Sequence, residues 1–289
     1  MEFDVDGKPV FGFTNGREFD AGKPTLLFIH GAGMDHSVWT LQARYFAHHN
    51  CNAVAIDLPG HGRSMGQASS SIEEMADWTA KAIDGLGIDE AVLIGHSMGA
   101  LVSLETAARY PGKVSQLVLL GIAAAMPVHQ ALLKAALDDD PLAVDLVTSW
   151  GHGPRGHLGG NQAPGGWLMG HAQKLLSKAP DGVLHQDLAA CHAYNNGPAA
   201  AQKVRCPTLI ISGDHDRMTP KREGAKLAAM IKGGRLSAID GAGHLMMVEK
   251  PDATLDVMIE YLGELALPQK PNQPLRSSAR PPLGDFRWF

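Results

Sequence analysis

Five short runs of this sequence are apolar almost without interruption: PTLLFI at 24–29, AVAI at 53–56, AVLI at 91–94, QLVLL at 116–120 and PTLIIS at 207–212. Runs of this length, rich in Val, Ile and Leu and lacking polar alternation, read as strands covered on both faces. The segments between them carry helical patterning. Residues 37–49 are one such segment. Another starts after Ser71, a hydroxyl cap followed by Glu73 and Glu74 in the first turn, with Met75, Trp78, Ile83 and Leu86 as its apolar face. A third runs over 100–109. Strand–helix–strand repetition with short links predicts an α/β fold: a mostly parallel sheet flanked by helices on both faces. Weak alternation through Val10, Phe11 and Phe13 adds one or two edge strands.

The rhythm breaks after Gly121. Up to about Arg205 no strand pattern stands out; helical patches at 127–137 and 141–150 surround a stretch, 151–170, dense in Gly, Pro and His. A gap of that length inside a sheet reads as an insertion. The expected organisation is therefore a core of residues 1–121 and 205–267 with an inserted helical cap over 122–204. The rhythm resumes with a helix at 220–231, a short strand at 235–239 and a last helix near 252–265. Residues 268–289, with five prolines and the cations Lys270, Arg276, Arg280 and Arg287, read as an extended tail.

Composition narrows the classes. A net charge of −5 with 19% charged residues gives no basic surface for nucleic acid. No run approaches the ~18 apolar residues of a membrane span, and the start lacks the basic and apolar regions of a secretory signal. The three cysteines, Cys51, Cys191 and Cys206, do not resemble a disulfide framework. A soluble, cytoplasmic protein with a small-molecule substrate is expected. No membrane or nucleic-acid partner is expected, and oligomeric state is not readable.

The chemistry gathers where strands end. Gly95-His96-Ser97-Met98-Gly99 lies between an apolar strand and a helix, and glycines two residues either side of Ser97 allow a turn sharp enough to lift the hydroxyl above the sheet edge. The plain reading of such a serine is a helix N-cap; the chemical one is a nucleophile, which needs a general base. His244, in the loop Gly241-Ala242-Gly243-His244-Leu245, is placed for that role. A carboxylate must orient the base. Asp214 and Asp216 both follow the strand ending at Ser212, and strand parity does not separate them. His30, His61 and His96 read as loop-shaping residues, and the 57–64 turn as structural. The cap histidines His152, His157, His171, His185 and His192 lack zinc-like spacing, so no metal is expected.

Taken in order, HGAG at 30–33, DLPGHGRS at 57–64, GHSMG at 95–99, GDHDRMTP at 213–220 and GAGH at 241–244 make the chain resemble the α/β-hydrolase superfamily, in its capped, esterase- and lactonase-like branch. The resemblance spans about 24–121 and 205–265. It implies a Ser97–His244–Asp216 triad, Asp216 being the acid of a Gly-x-x-Asp pattern, and an oxyanion hole from the backbone N–H groups of Ala32 and Met98. Met34, Trp150 and Trp167 are expected pocket walls. The implied activity is hydrolysis of a small carboxylic ester through an acyl-enzyme, with no cofactor. Lactone hydrolysis is the nearest alternative. Carbon–carbon bond hydrolysis fits less well, because His96 and Gly99-Ala100 stand where those enzymes carry Asn and Gly-Gly. A small-ligand receptor on the same fold is the alternative outside catalysis.

Overall fold

A computed structural model describes residues 1–160 and 166–264; the expected tail, 268–289, lies outside the described residues. In chain order the elements are β1 (Glu2–Val5), β2 (Lys8–Phe13), β3 (Thr25–Ile29), a 3-10 turn at His36–Trp39 leading into α1 (Thr40–Ala47), β4 (Asn52–Ile56), α2 (Ile72–Gly85), β5 (Ala91–His96), α3 (Met98–Arg109) and β6 (Val114–Leu120). Helices α4 (Gln130–Leu137), α5 (Leu142–Gly151), α6 (Pro154–His157), α7 (Leu168–Leu176), α8 (Val183–Ala193) and α9 (Gly197–Lys203) follow, with no strand among the described residues. The chain then closes with β7 (Thr208–Gly213), α10 (Lys221–Met230), β8 (Arg235–Ile239), α11 (Met246–Glu249) and α12 (Pro251–Glu264).

Among the described residues the strands form one sheet in the order β1-β2-β4-β3-β5-β6-β7-β8. Only β2 runs against its neighbours; β3 through β8 are parallel. The five apolar runs occupy β3 to β7, and their residues alternate between two cores. Leu26, Phe28, Ala55, Ile94 and Val118 pack with Trp39, Phe46 and Met258 on one side. Leu27, Ile29, Val54, Leu93 and Leu119 pack with Met75, Leu101 and Leu227 on the other. Both faces of each central strand are covered, which is why those runs lack polar alternation.

Two details differ from the sequence reading. The amino-terminal strands do form, but β2 lies inside the sheet, tied to β4 through Gly12–Ile56 and Phe13–Ala55, and of the two only β1 takes an edge. Strand β6 starts at Val114, two residues earlier than its apolar run, with a register shift opposite Ala91/Val92. The cap at Ser71 is present: its hydroxyl accepts the Glu74 N–H at 3.2 Å. No helix among the described residues is long and apolar enough to cross a membrane.

The 57–64 turn is built around Asp57, which is fully buried. Its carboxylate accepts the N–H groups of His36 (2.7 Å) and Arg63 (2.8 Å) and the His36 imidazole (2.9 Å). Burial pushes its pKa up, but these donors outweigh burial and hold it below the ordinary value. Gly62 is required there: at φ +49° a Cβ would stand 2.2 Å from the Asp57 carboxylate.

Candidate active site

Ser97 sits at the junction of β5 and α3 with φ 53° and ψ −116°, a conformation that costs a non-glycine residue on the order of 1–3 kcal/mol and is held only by its surroundings. Those surroundings are unusually close. A Cβ at Gly95 would lie 2.2 Å from the Gly99 carbonyl oxygen, and one at Gly99 would lie 2.3 Å from that of Ile29. The Ser97 N–H donates to Leu120 O (2.9 Å), and its own carbonyl accepts from Ala100 (2.9 Å) and Leu101 (3.2 Å) to start α3. Its side chain makes no capping hydrogen bond. Helix initiation is thus done by the backbone, leaving the hydroxyl free.

His244 and Asp216 meet from two loops. His244 Nδ1 stands 2.8 Å from Asp216 Oδ2, with both residues buried. The other carboxylate oxygen accepts the N–H groups of Met218 and Thr219, each at 2.8 Å, and the Thr219 hydroxyl donates to Oδ2 at 2.7 Å. Burial raises the Asp216 pKa, but the His244 charge, its hydrogen bond and the Thr219 donors reverse the sign and leave it lowered. Asp216 is therefore ionised and its position over-determined. Asp214 faces elsewhere and accepts the Gly241 N–H at 2.8 Å.

His244 is also anchored through its backbone. Its backbone N–H donates to Gly151 O at the end of α5 (2.8 Å), and its carbonyl oxygen accepts from His96 Nε2 (3.0 Å). Gly121, at φ +60°, passes so close that a Cβ there would stand 2.9 Å from His244 Cε1. Nε2 of His244 is buried without a hydrogen-bond partner among the described residues. With Nδ1 donating to the carboxylate, Nε2 is the ring nitrogen left for another partner.

The neighbouring histidines are kept neutral. Burial, with the nearby His244, brings His96 down to about 3, and burial with His61 brings His30 to about 4. His30 donates through Nδ1 to Gly31 O (2.9 Å) and accepts the Leu58 N–H at Nε2 (3.1 Å), fixing the turn that carries Ala32.

A cavity of about 320 Å3 contains Ser97, His244, Ala32 and Trp150. Met98, whose N–H follows the serine, is fully buried beneath it. Neither the Ala32 nor the Met98 N–H takes part in the turn bonding of its neighbours, which uses Met34 N–H to Gly31 O (3.2 Å) and Ala100 N–H to Ser97 O. Two expected walls are elsewhere. Met34 packs into the core beside Val38 and Trp39, because the turn at Gly33 (φ +66°) carries the chain back onto the sheet. Trp167 is 68% exposed at the start of α7, its ring over Gly170, and does not line the cavity. Sequence reading missed Thr219, Arg217 and Asp187. The Asp-x-x-Thr spacing at 216–219 is an Asx-turn signal that could have revealed Thr219; nothing local marks the other two.

A second cleft, about 460 Å3, lies at the amino ends of β7 and β8 between Val204 and Tyr261. Burial pushes its thiol, Cys206, up to about 11, so among the described residues the cleft offers no activated nucleophile.

The model of the alpha/beta hydrolase family matches residues 26–257. The chain belongs to that family. Among curated relatives of this alpha/beta hydrolase is a bifunctional esterase/perhydrolase of Acinetobacter calcoaceticus, 27% identical over 238 residues, covering 77% of this chain and 86% of the relative. Among solved structures, a thermophilic esterase is 27% identical with a TM-score of 0.75, covering 92% of this chain and 98% of the other. The enol-lactonase from Burkholderia xenovorans LB400 shares the fold at a TM-score of 0.79 with 20% identity, covering 90% of this chain and 99% of the other.

Proposed function

We propose that this hydrolase cleaves small carboxylic esters through a covalent acyl-enzyme on Ser97. The observation that carries the reading is the buried His244–Asp216 pair at 2.8 Å, whose free Nε2 belongs to the same cavity as Ser97. In this mechanism Nε2 takes the Ser97 proton as the oxygen attacks the ester carbonyl. The Ala32 and Met98 N–H groups receive the developing oxyanion. His244 returns the proton to the departing alcohol, then activates a water that releases the acid. Asp216, held ionised, keeps Nδ1 protonated and stabilises the imidazolium. Helices α4 to α9 act as the cap, with α5 contributing Gly151 to the base loop and Trp150 to the cavity. The esterase relatives support the acyl chemistry.

The test is hydrolysis of a panel of p-nitrophenyl esters and lactones by wild type and Ser97→Ala, with fluorophosphonate labelling located by mass spectrometry. The label is expected on Ser97, and S97A is expected to lose at least ~10⁴-fold in kcat. Wild-type turnover by S97A would overturn the assignment.

A further inference from the structure

One residue lining the cavity carries a permanent charge. Arg217 stands among lining residues that are otherwise apolar or neutral, including Met126, Val128, Leu132, Leu188 and Met218, with no carboxylate among them. Its guanidinium makes no hydrogen bond or ion pair with any described residue. The adjacent acid, Asp216, is turned inward and consumed by His244 and Thr219, and Asp214 is turned toward Gly241.

The backbone beneath this cation is rigid. Met218 and Thr219 N–H groups both close on Asp216 Oδ1 at 2.8 Å, so Arg217 sits at the tip of an Asx turn made by the carboxylate that orients the base. Its Cα is thereby held in register with His244. His129, also on the cavity wall, accepts the Ala131 N–H at Nδ1 (3.2 Å), which leaves the ring proton on Nε2 as a second donor. An apolar cavity at the small end of the roughly 300–1,000 Å3 range of ligand sites, with a free guanidinium at its exposed side, suits a short molecule with one reacting end and one anionic end. A guanidinium pairs with a carboxylate through two parallel hydrogen bonds.

We propose that Arg217 makes this enzyme selective for monoesters of short dicarboxylic acids, binding the free carboxylate while the ester carbonyl lies at Ser97. The apolar wall receives the methylenes between them. The assignment rests on the serine-hydrolase reading above and goes beyond it by naming the acyl group.

The experiment compares 4-nitrophenyl hydrogen glutarate with its neutral counterpart, methyl 4-nitrophenyl glutarate, which has the same acyl backbone. For wild type at low salt, kcat/KM is expected to favour the acid by about tenfold, mainly through KM, and the preference should shrink as salt is added because the guanidinium is exposed. The acid-to-methyl-ester ratio should fall to near one in Arg217→Gln, invert in Arg217→Glu and be partly kept in Arg217→Lys. Reading the ratio removes any general loss of activity in the variants. A wild-type ratio near one, or a tenfold ratio unchanged in R217Q, overturns the selection while Ser97-dependent turnover of the methyl ester persists. Absence of Ser97-dependent turnover of both esters overturns the hydrolase reading itself, and this assignment with it.

Discussion

Removing the Asp187 carboxylate tests whether the inserted helices hold the loop that carries Ala32. Asp187, on α8, is fully buried. Its Oδ2 accepts hydrogen bonds from the Gly33 N–H and from His61 Nε2, both at 2.8 Å. His61 also donates through Nδ1 to Pro59 O (3.0 Å); with both nitrogens donating to acceptors, the ring is an imidazolium. Burial pulls its pKa down, but the Asp187 charge and hydrogen bond and the Pro59 carbonyl outweigh burial and raise it. One carboxylate oxygen thus ties the 57–64 turn, the HGAG turn and an inserted helix together. Breaking a buried pair by deleting one partner costs roughly 3–5 kcal/mol, because the other charge is stranded. His61 can shed its proton, so Asp187→Ala is expected near the lower bound, about 3 kcal/mol. At roughly 2–4 °C per kcal/mol that is a fall in Tm of about 6–12 °C.

Urea denaturation of wild type, D187A, His61→Gln and the double variant at pH 6 should give a coupling energy above ~1 kcal/mol. A group whose pKa is raised by folding contributes fully below its unfolded value, here 6.5, and loses that contribution as pH rises through the folded value. The stability gap between wild type and Asp187→Asn should accordingly narrow on the alkaline side. Because Gly33 follows Ala32, ester hydrolysis should also slow, by ~10-fold in kcat with KM little changed, well short of the 10²–10³ expected for losing an oxyanion donor outright. A loss below 1 kcal/mol with no coupling in the cycle would refute the clamp.

Asp216→Asn should lower kcat about 10⁴-fold by letting Nδ1 lose its proton acceptor, measured on the methyl ester above. Folding depresses the Asp216 pKa, so the wild type's stability advantage over D216N should be full above the unfolded value of 3.8 and vanish as pH falls through the lower folded value. Gly121→Ala should place a Cβ 2.9 Å from His244 Cε1 at a positive φ. We expect hydrolysis to fall by ~10²-fold while the far-ultraviolet circular dichroism stays native; unchanged turnover would mean that the base has room to move.

What was legible in the sequence follows from how far each feature reaches along the chain. Strands β3 to β7 announced themselves because burial on both faces leaves them without polar alternation, and the elbow because a Cβ at Gly95 or Gly99 would stand within 2.3 Å of a carbonyl oxygen. The choice between Asp214 and Asp216 could not come from strand parity. Turn chemistry separates them, since Asp216 closes on the N–H groups two and three residues ahead whereas Asp214 reaches 27 residues to Gly241. The interior place of β2 depends on a pairing across the sheet, so alternation within 8–13 said nothing of it.

The inserted helices were least legible, for the same reason in stronger form. Their aromatic residues signal apolar surface but not which side of a helix turns inward. Trp150 lines the cavity while Trp167 faces solvent. Asp187 has no motif around it, yet it bonds Gly33 across 154 residues and His61 across 126. Bond-breaking geometry has to be built within a few residues of chain, where glycine and turn residues leave a mark. The placement of Asp187 against the HGAG turn, and of Arg217 in one cavity with residues 126–132, is set by packing between distant segments. A single substitution in α8 can therefore alter the site without touching any of the five motifs, and the Asp187 cycle measures how strongly.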